Sequence, residues 1–144
     1  MDKVSKDINK KKKALISIAT RTVEIGQTDL YKEIVSELLS MGYEVFTNSD
    51  DEGECITGTS PFYGSLNEIR EHFLDGILIG TRSGLHDLFL YQHCKVVAVY
   101  PRNYRYKTLF ALDSLPDIKA ECFEIELSED VNSDCEAIIR FIKG

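Results

Sequence analysis

Gly80-Thr81-Arg82-Ser83-Gly84 lies between an apolar run, Ile77-Leu78-Ile79, and a helix-like stretch, Leu88-Phe89-Leu90-Tyr91. A buried strand, a small-residue turn carrying an arginine, and a new helix together make an anion site. The first turn of a helix has backbone N–H groups without internal partners, and its dipole favours negative charge. Gly80 and Gly84 let backbone come close to a ligand, and the planar guanidinium of Arg82 fits a phosphate. The turn points to a phosphorylated ligand, a nucleotide or nucleotide-sugar. Read alone, such a turn could equally be polar surface, with Arg82 paired to a carboxylate.

Thr20, Arg21 and Thr22 follow the first apolar run, residues 14–19, in the corresponding place. They could give a pyrophosphate a second positive charge and hydroxyl donors, or Arg21 could simply be solvated. The pairing gains force if the first strand and the strand at 77–79 lie close in the sheet. Asp87, about one turn into the new helix, could cap its amides or hold Arg82. His86 is a weak acid/base candidate on its near-neutral pKa, with a packing role as the alternative. His72 and His93 read as structural. Asp50, Asp51, Glu52 and Glu54 form an acidic loop whose spacing matches no EF-hand, so it reads as solvated. Tyr100, Tyr104 and Tyr106, interleaved with Arg102 and Arg105, could stack on a base or sugar, or form a surface patch.

These residues need a scaffold. Thr28 or Asp29 can cap a helix with apolar Leu30, Ile34, Val35, Leu38 and Leu39 on one face, closed by Gly42. Residues 43–46 read as a strand and 48–58 as a long loop. Ser65 and Glu68 have capping-box spacing. Residues 77–79 and 95–100 read as strands, 122–127 as a last strand near an edge, and 133–143 as a closing amphipathic helix with Ala137, Ile138, Phe141 and Ile142 inward. Residues 102–120 resist assignment. Apolar runs alternating with amphipathic helices predict an α/β fold: a three-layer, Rossmann-like parallel sheet flanked by helices. Ligands on such sheets bind beyond the carboxyl ends of the strands, where residues 20–27, 48–58, 80–84 and 101–105 should gather.

The chain has 144 residues, 43% hydrophobic and 28% charged, with a formal charge of −7. One domain, residues 13–144, is the simplest division. Residues 1–12 read as a disordered basic tail or linker remnant. Six lysines precede Ala14, against Asp2 and Asp7, so the body is more acidic than the whole. That balance argues against nucleic-acid binding. No segment approaches a membrane span, and the basic start lacks the apolar core of a secretory signal. The four cysteines have neither C-x-x-C nor zinc spacing, so they read as reduced thiols in a cytoplasmic protein, with no metal.

Tyr43-Glu44-Val45-Phe46-Thr47-Asn48, Ile56-Thr57-Gly58-Thr59 and Ile79-Gly80-Thr81-Arg82-Ser83-Gly84-Leu85-His86-Asp87-Leu88 carry a resemblance. Over residues 13–144 the chain resembles the C-terminal, nucleotide-sugar-binding half of a GT-B glycosyltransferase, of the bacterial polysaccharide type distantly similar to heptosyltransferases. The resemblance implies a nucleotide-diphosphate-sugar donor and transfer without metal or other cofactor. It places Thr20, Arg21, Arg82, Ser83 and Gly84 around the diphosphate. It also implies a partner, because GT-B enzymes take acceptor and often base from an N-terminal domain. The chain is then a fragment, or completed by a partner subunit, or a stand-alone nucleotide-sugar binding module.

Overall fold

A computed structural model describes residues 12–17, 25–49, 55–81, 86, 89–100 and 117–144, with backbone alone at 25–28. The elements are β1 (Lys13–Ser17), α1 (Ile25–Ser40), β2 (Glu44–Asn48), β3 (Ser60–Phe62), α2 (Leu66–His72), β4 (Ile77–Thr81), β5 (Lys95–Tyr100), β6 (Glu121–Glu126) and α3 (Val131–Lys143). The six strands form one sheet in the order β3-β2-β1-β4-β5-β6. Every pairing is parallel.

The apolar runs explain the layering. Side chains alternate across a strand, so a run apolar at every position must be covered on both faces. On one face Ala14, Ile16, Val45, Ile77, Ile79, Val97 and Val99 pack with Leu30, Tyr31, Ile34 and Leu38 of α1 and Cys135, Ile138 and Ile142 of α3. On the other, Leu15, Leu78, Val96, Ala98 and Tyr100 pack with Ile69 of α2 and with Phe73, Phe89 and Leu90. The fold is α/β, three-layered and Rossmann-like, as the alternation of runs predicts.

The helix ends follow local rules. Ser65 accepts from Glu68 N–H at 3.2 Å while Ser65 N–H donates to Glu68 Oε1 at 3.1 Å, the expected capping box. Gly42, at φ 88°, occupies the left-handed region after α1, where a glycine carries no Cβ penalty. Lys95 Nζ donates to the Phe141 and Ile142 carbonyls at 3.2 and 2.6 Å, closing the end of α3 from a neighbouring strand.

Three details differ from expectation. α1 begins at Ile25 rather than after Thr28 or Asp29, because Gly26 is tolerated in a first turn. Leu39 is 44% exposed, and Tyr31 rather than Leu39 completes the inward face of α1. β3 has no counterpart in the strand pattern. It is three residues long, contains Pro61 and borders the sheet, the one place a strand tolerates a residue lacking an N–H.

His72 ends α2 inside an aromatic box. Its ring centroid lies 4.5 Å from Phe62, 4.9 Å from Phe73 and 5.2 Å from Phe46. Nε2 is buried without a hydrogen-bond partner. Burial, helped by the Lys13 charge and opposed by Glu44, lowers its pKa from the usual value. The unfolded chain therefore binds the proton more readily than the folded one. The stability tied to His72 is complete above about pH 6.5 and drains away as the pH falls from there toward the lowered folded-state value. We expect the urea midpoint to fall between pH 7.5 and 5.5, and to fall less in His72→Phe. Equal falls in the two proteins would contradict this account.

Candidate functional site

β1 and β4 are neighbours, with Ser17 opposite Gly80 in the register. From this pair the sheet grows outward in both directions, to β2 and β3 on one side and β5 and β6 on the other. α1, which follows β1, covers one face of the sheet, and Phe89 and Leu90, which follow β4, pack on the other, so the connections diverge at the ends of β1 and β4, the position at which such sheets bind ligands. The two segments singled out in the sequence, 20–22 and 82–84, begin three and one residues beyond these adjacent ends. This is the proximity on which the pairing of the two arginines depends.

Gly80 fits this junction because nothing larger can. A Cβ there would collide with Ser17 O and lie 2.7 Å from Ser17 C. The two backbones close up at the strand ends, and the glycine is a steric requirement of the sheet as well as part of the turn.

α1 supplies a second feature of this edge. Parallel β1 and β2 require α1 to run back across the sheet, so its amino end stands at the carboxyl edge of the strands. Its first-turn N–H groups point to that edge and bring partial positive charge with them. Tyr31, one and a half turns on, is fully buried. The Tyr31 hydroxyl and Thr81 Oγ1 are both shut off from water without hydrogen-bond partners. Burial pushes the phenol up, and the nearby Thr81 hydroxyl pulls it partly back. The two hydroxyls therefore lie near each other. A buried hydroxyl left unpaired costs about 1–3 kcal/mol, so the pair is an expense the fold carries at the strand ends.

The neighbouring end of β2 is pinned by a closed ring of hydrogen bonds. Ile56 N–H donates to Thr47 Oγ1 at 3.2 Å, and Thr59 Oγ1 donates to Ile56 O at 2.7 Å. The 2.7 Å contact between the two threonine oxygens must then use the Thr47 proton, since Thr59 has spent its own. Residues 55–59 are held against the sheet edge by this ring.

Of the candidate residues, Gly80, Thr81 and His86 fall within the described part. Thr20, Arg21, Arg82, Ser83, Gly84 and Asp87 lie outside the described residues, as do Thr22, the acidic residues 50–54 and residues 102–106. Gly80 and Thr81 end β4. His86 is fully buried, and its Nε2 lies 3.0 Å from Val97 O. A carbonyl only accepts, so Nε2 carries the proton, and an imidazole so enclosed reaches no ligand in this conformation. Tyr100 is also buried, with its hydroxyl donating to Glu124 Oε1 at 3.0 Å, so it offers no stacking surface. The site residues that escaped sequence reasoning are Tyr31 and the Thr47–Thr59 pair. Tyr31 sits among Leu30 and Ile34 and reads as ordinary core; no spacing marks its hydroxyl.

Two of the cysteines, Cys94 and Cys135, are poor nucleophiles here. Burial pushes the Cys94 thiol up to about 12, with Cys122 adding to the shift, and the Cys135 thiol up to about 11. Among the described residues no His, Cys, Asp and Glu group could hold a metal ion, and no helix is long and apolar enough to cross a membrane. A groove of about 700 Å³ between α1 and α3 is lined by Glu33, Glu37, Glu136, Arg140 and Lys143. It lies along the helix layer, and no strand residue lines it.

These features define a class by fold: a Rossmann-like α/β domain whose strand order reverses between β1 and β4. No family model, curated protein or solved structure matches the chain.

Proposed function

We propose that the chain binds the diphosphate of a nucleotide-diphosphate sugar between the carboxyl ends of β1 and β4, as the donor-binding half of a GT-B-type glycosyltransferase. The observation that carries the reading is the parallel adjacency of β1 and β4, with Gly80 packed on Ser17. It starts the segments bearing Arg21 and Arg82 from adjacent strand ends, beneath the amino end of α1. In transfer, the bond between the sugar carbon and the diphosphate oxygen breaks, and negative charge grows on the departing diphosphate. Two guanidinium groups and a helix amino end would stabilise that charge without a metal. The acceptor and the base that takes its proton come from a second domain or subunit.

A second reading shares the site but not the reaction: a module that holds a nucleotide or nucleotide-sugar without transferring anything. The enclosure of His86 favours it, because the acid/base candidate that follows β4 reaches no ligand in this conformation. A thermal-shift screen of GDP-, UDP-, ADP- and CMP-linked sugars tests what the readings have in common. A ligand that binds only the folded chain raises Tm, by about 2.7 kcal/mol of added stability at a hundred times Kd. We expect one nucleotide class to raise Tm and its free nucleotide to retain much of the effect. A screen in which none does so removes both readings.

A further inference from the structure

The groove between α1 and α3 divides its charge by sign. Asp29, Glu33 and Glu37 follow one another at four-residue spacing along α1. Like charges on adjacent turns repel and weaken a helix. The facing helix does not relieve them. Asn132, its amide oriented to donate, reaches both Glu33 oxygens at 2.9 Å, which sets the two helices in register. One turn further on, another acid, Glu136, stands level with Glu37. Cys135 and Ile139 are buried and form the floor between them. Arg140 and Lys143 lie one more turn along, at the end of α3 that Lys95 closes. Among the described residues no ion pair joins these acids to these bases.

Acid therefore fills one half of the groove and base the other, the pattern of a surface complementary to itself. A two-fold axis across the groove, between the levels of Glu37 and Arg140, lays each acidic half on the basic half of a second copy. A basic peptide would be repelled by Arg140 and Lys143, and an acidic one by Glu33 and Glu37. A partner that satisfies the whole groove carries both signs in reverse order, as this chain does. We infer that the chain pairs with a second copy through the α1–α3 groove, with Glu33 and Glu37 of each copy facing Arg140 and Lys143 of the other. The charges choose the partner and fix its direction. The contact covers the outer face of one helix layer and leaves the ends of β1 and β4 open, so it stands apart from the diphosphate reading.

Sedimentation velocity of the 144-residue chain over a wide range of concentration reads the pairing. At low ionic strength the mean mass should climb toward twice that of the chain. It should fall back in molar salt, where the Debye length is about 3 Å. Glu37→Arg and Arg140→Glu should each weaken pairing by about tenfold or more, and the chain carrying both reversals should recover it. Glu37→Arg should melt no lower than the parent, since it removes a carboxylate that Glu33 repels; this separates a lost interface from a lost fold. A parent that stays monomeric throughout overturns the inference. A dimer that neither single reversal weakens overturns it as well, because another surface then makes the contact. So does a double reversal that folds without pairing, and so does a Glu37→Arg chain that melts well below the parent, since Glu37 would then be engaged within its own chain.

Discussion

Replacing Gly80 with alanine is expected to lower Tm by about 10 °C or to leave no folded chain. The added methyl would collide with Ser17 O, which is backbone and cannot rotate aside as a side chain would. Ser17 and Gly80 face each other in the β1–β4 ladder, so relief requires the two central strands to part at their ends. Overpacking a core typically costs 1–3 kcal/mol, and a backbone clash at the centre of a sheet belongs at or above the top of that range. For a chain of this size 3 kcal/mol corresponds to roughly 10 °C. Gly64→Ala is the matched control: its new methyl would lie 3.3 Å from Glu68 Cβ at the surface. It should move Tm by no more than a few degrees. A Gly80→Ala chain as stable as the control would mean that the strand ends do not close up, and the proposed site would lose its shape.

Arg82→Ala is expected to weaken nucleoside diphosphate binding by about 1.5–3 kcal/mol, or some ten- to a hundredfold, without a comparable loss of stability. A guanidinium binding an oxyanion makes two parallel charge-assisted bonds, and alanine loses both. Lysine at position 82 keeps the charge but not the fork, so Arg82→Lys should recover only part of the affinity. Calorimetry on the three chains at one ionic strength reads the effect directly. Equal affinity in parent and alanine variant would take Arg82 out of the site. The contrast between the two substitutions is informative: Gly80 acts through the sheet and should move Tm, whereas Arg82 acts through the ligand and should move Kd.

Much of the scaffold was legible because it rests on burial. Residues 14–16, 77–79 and 96–99 are apolar at every position, and only a strand covered on both faces uses such runs. Ser65 and Glu68 announced their helix because a capping box is a local device. β3 was missed because an edge strand of three residues with a proline has neither length nor alternation to betray it. The site was legible only as separate turns. Nothing in a linear sequence says that β1 and β4 are neighbours; that follows from the order in which the sheet assembles. Tyr31 was invisible for a related reason. Its ring obeys the helix periodicity that marks core, and only the assembled sheet brings Thr81 near its hydroxyl. Burial bears on two readings that the sequence left open. His86 and Tyr100 look like chemistry in the sequence, yet both are enclosed and engaged with protein oxygens.

The proposed oxyanion site lies where β1 and β4 end and α1 begins. Backbone amide shifts recorded while the stabilising nucleoside diphosphate is titrated into the chain test it most directly. The account predicts that the amides of Ser17, Thr81 and the first turn of α1 move together, with one saturation curve, while those lining the α1–α3 groove near Glu37 and Arg140 stay still. Shifts confined to that groove, or spread along the far ends of the strands near Lys13 and Ile77, would contradict it.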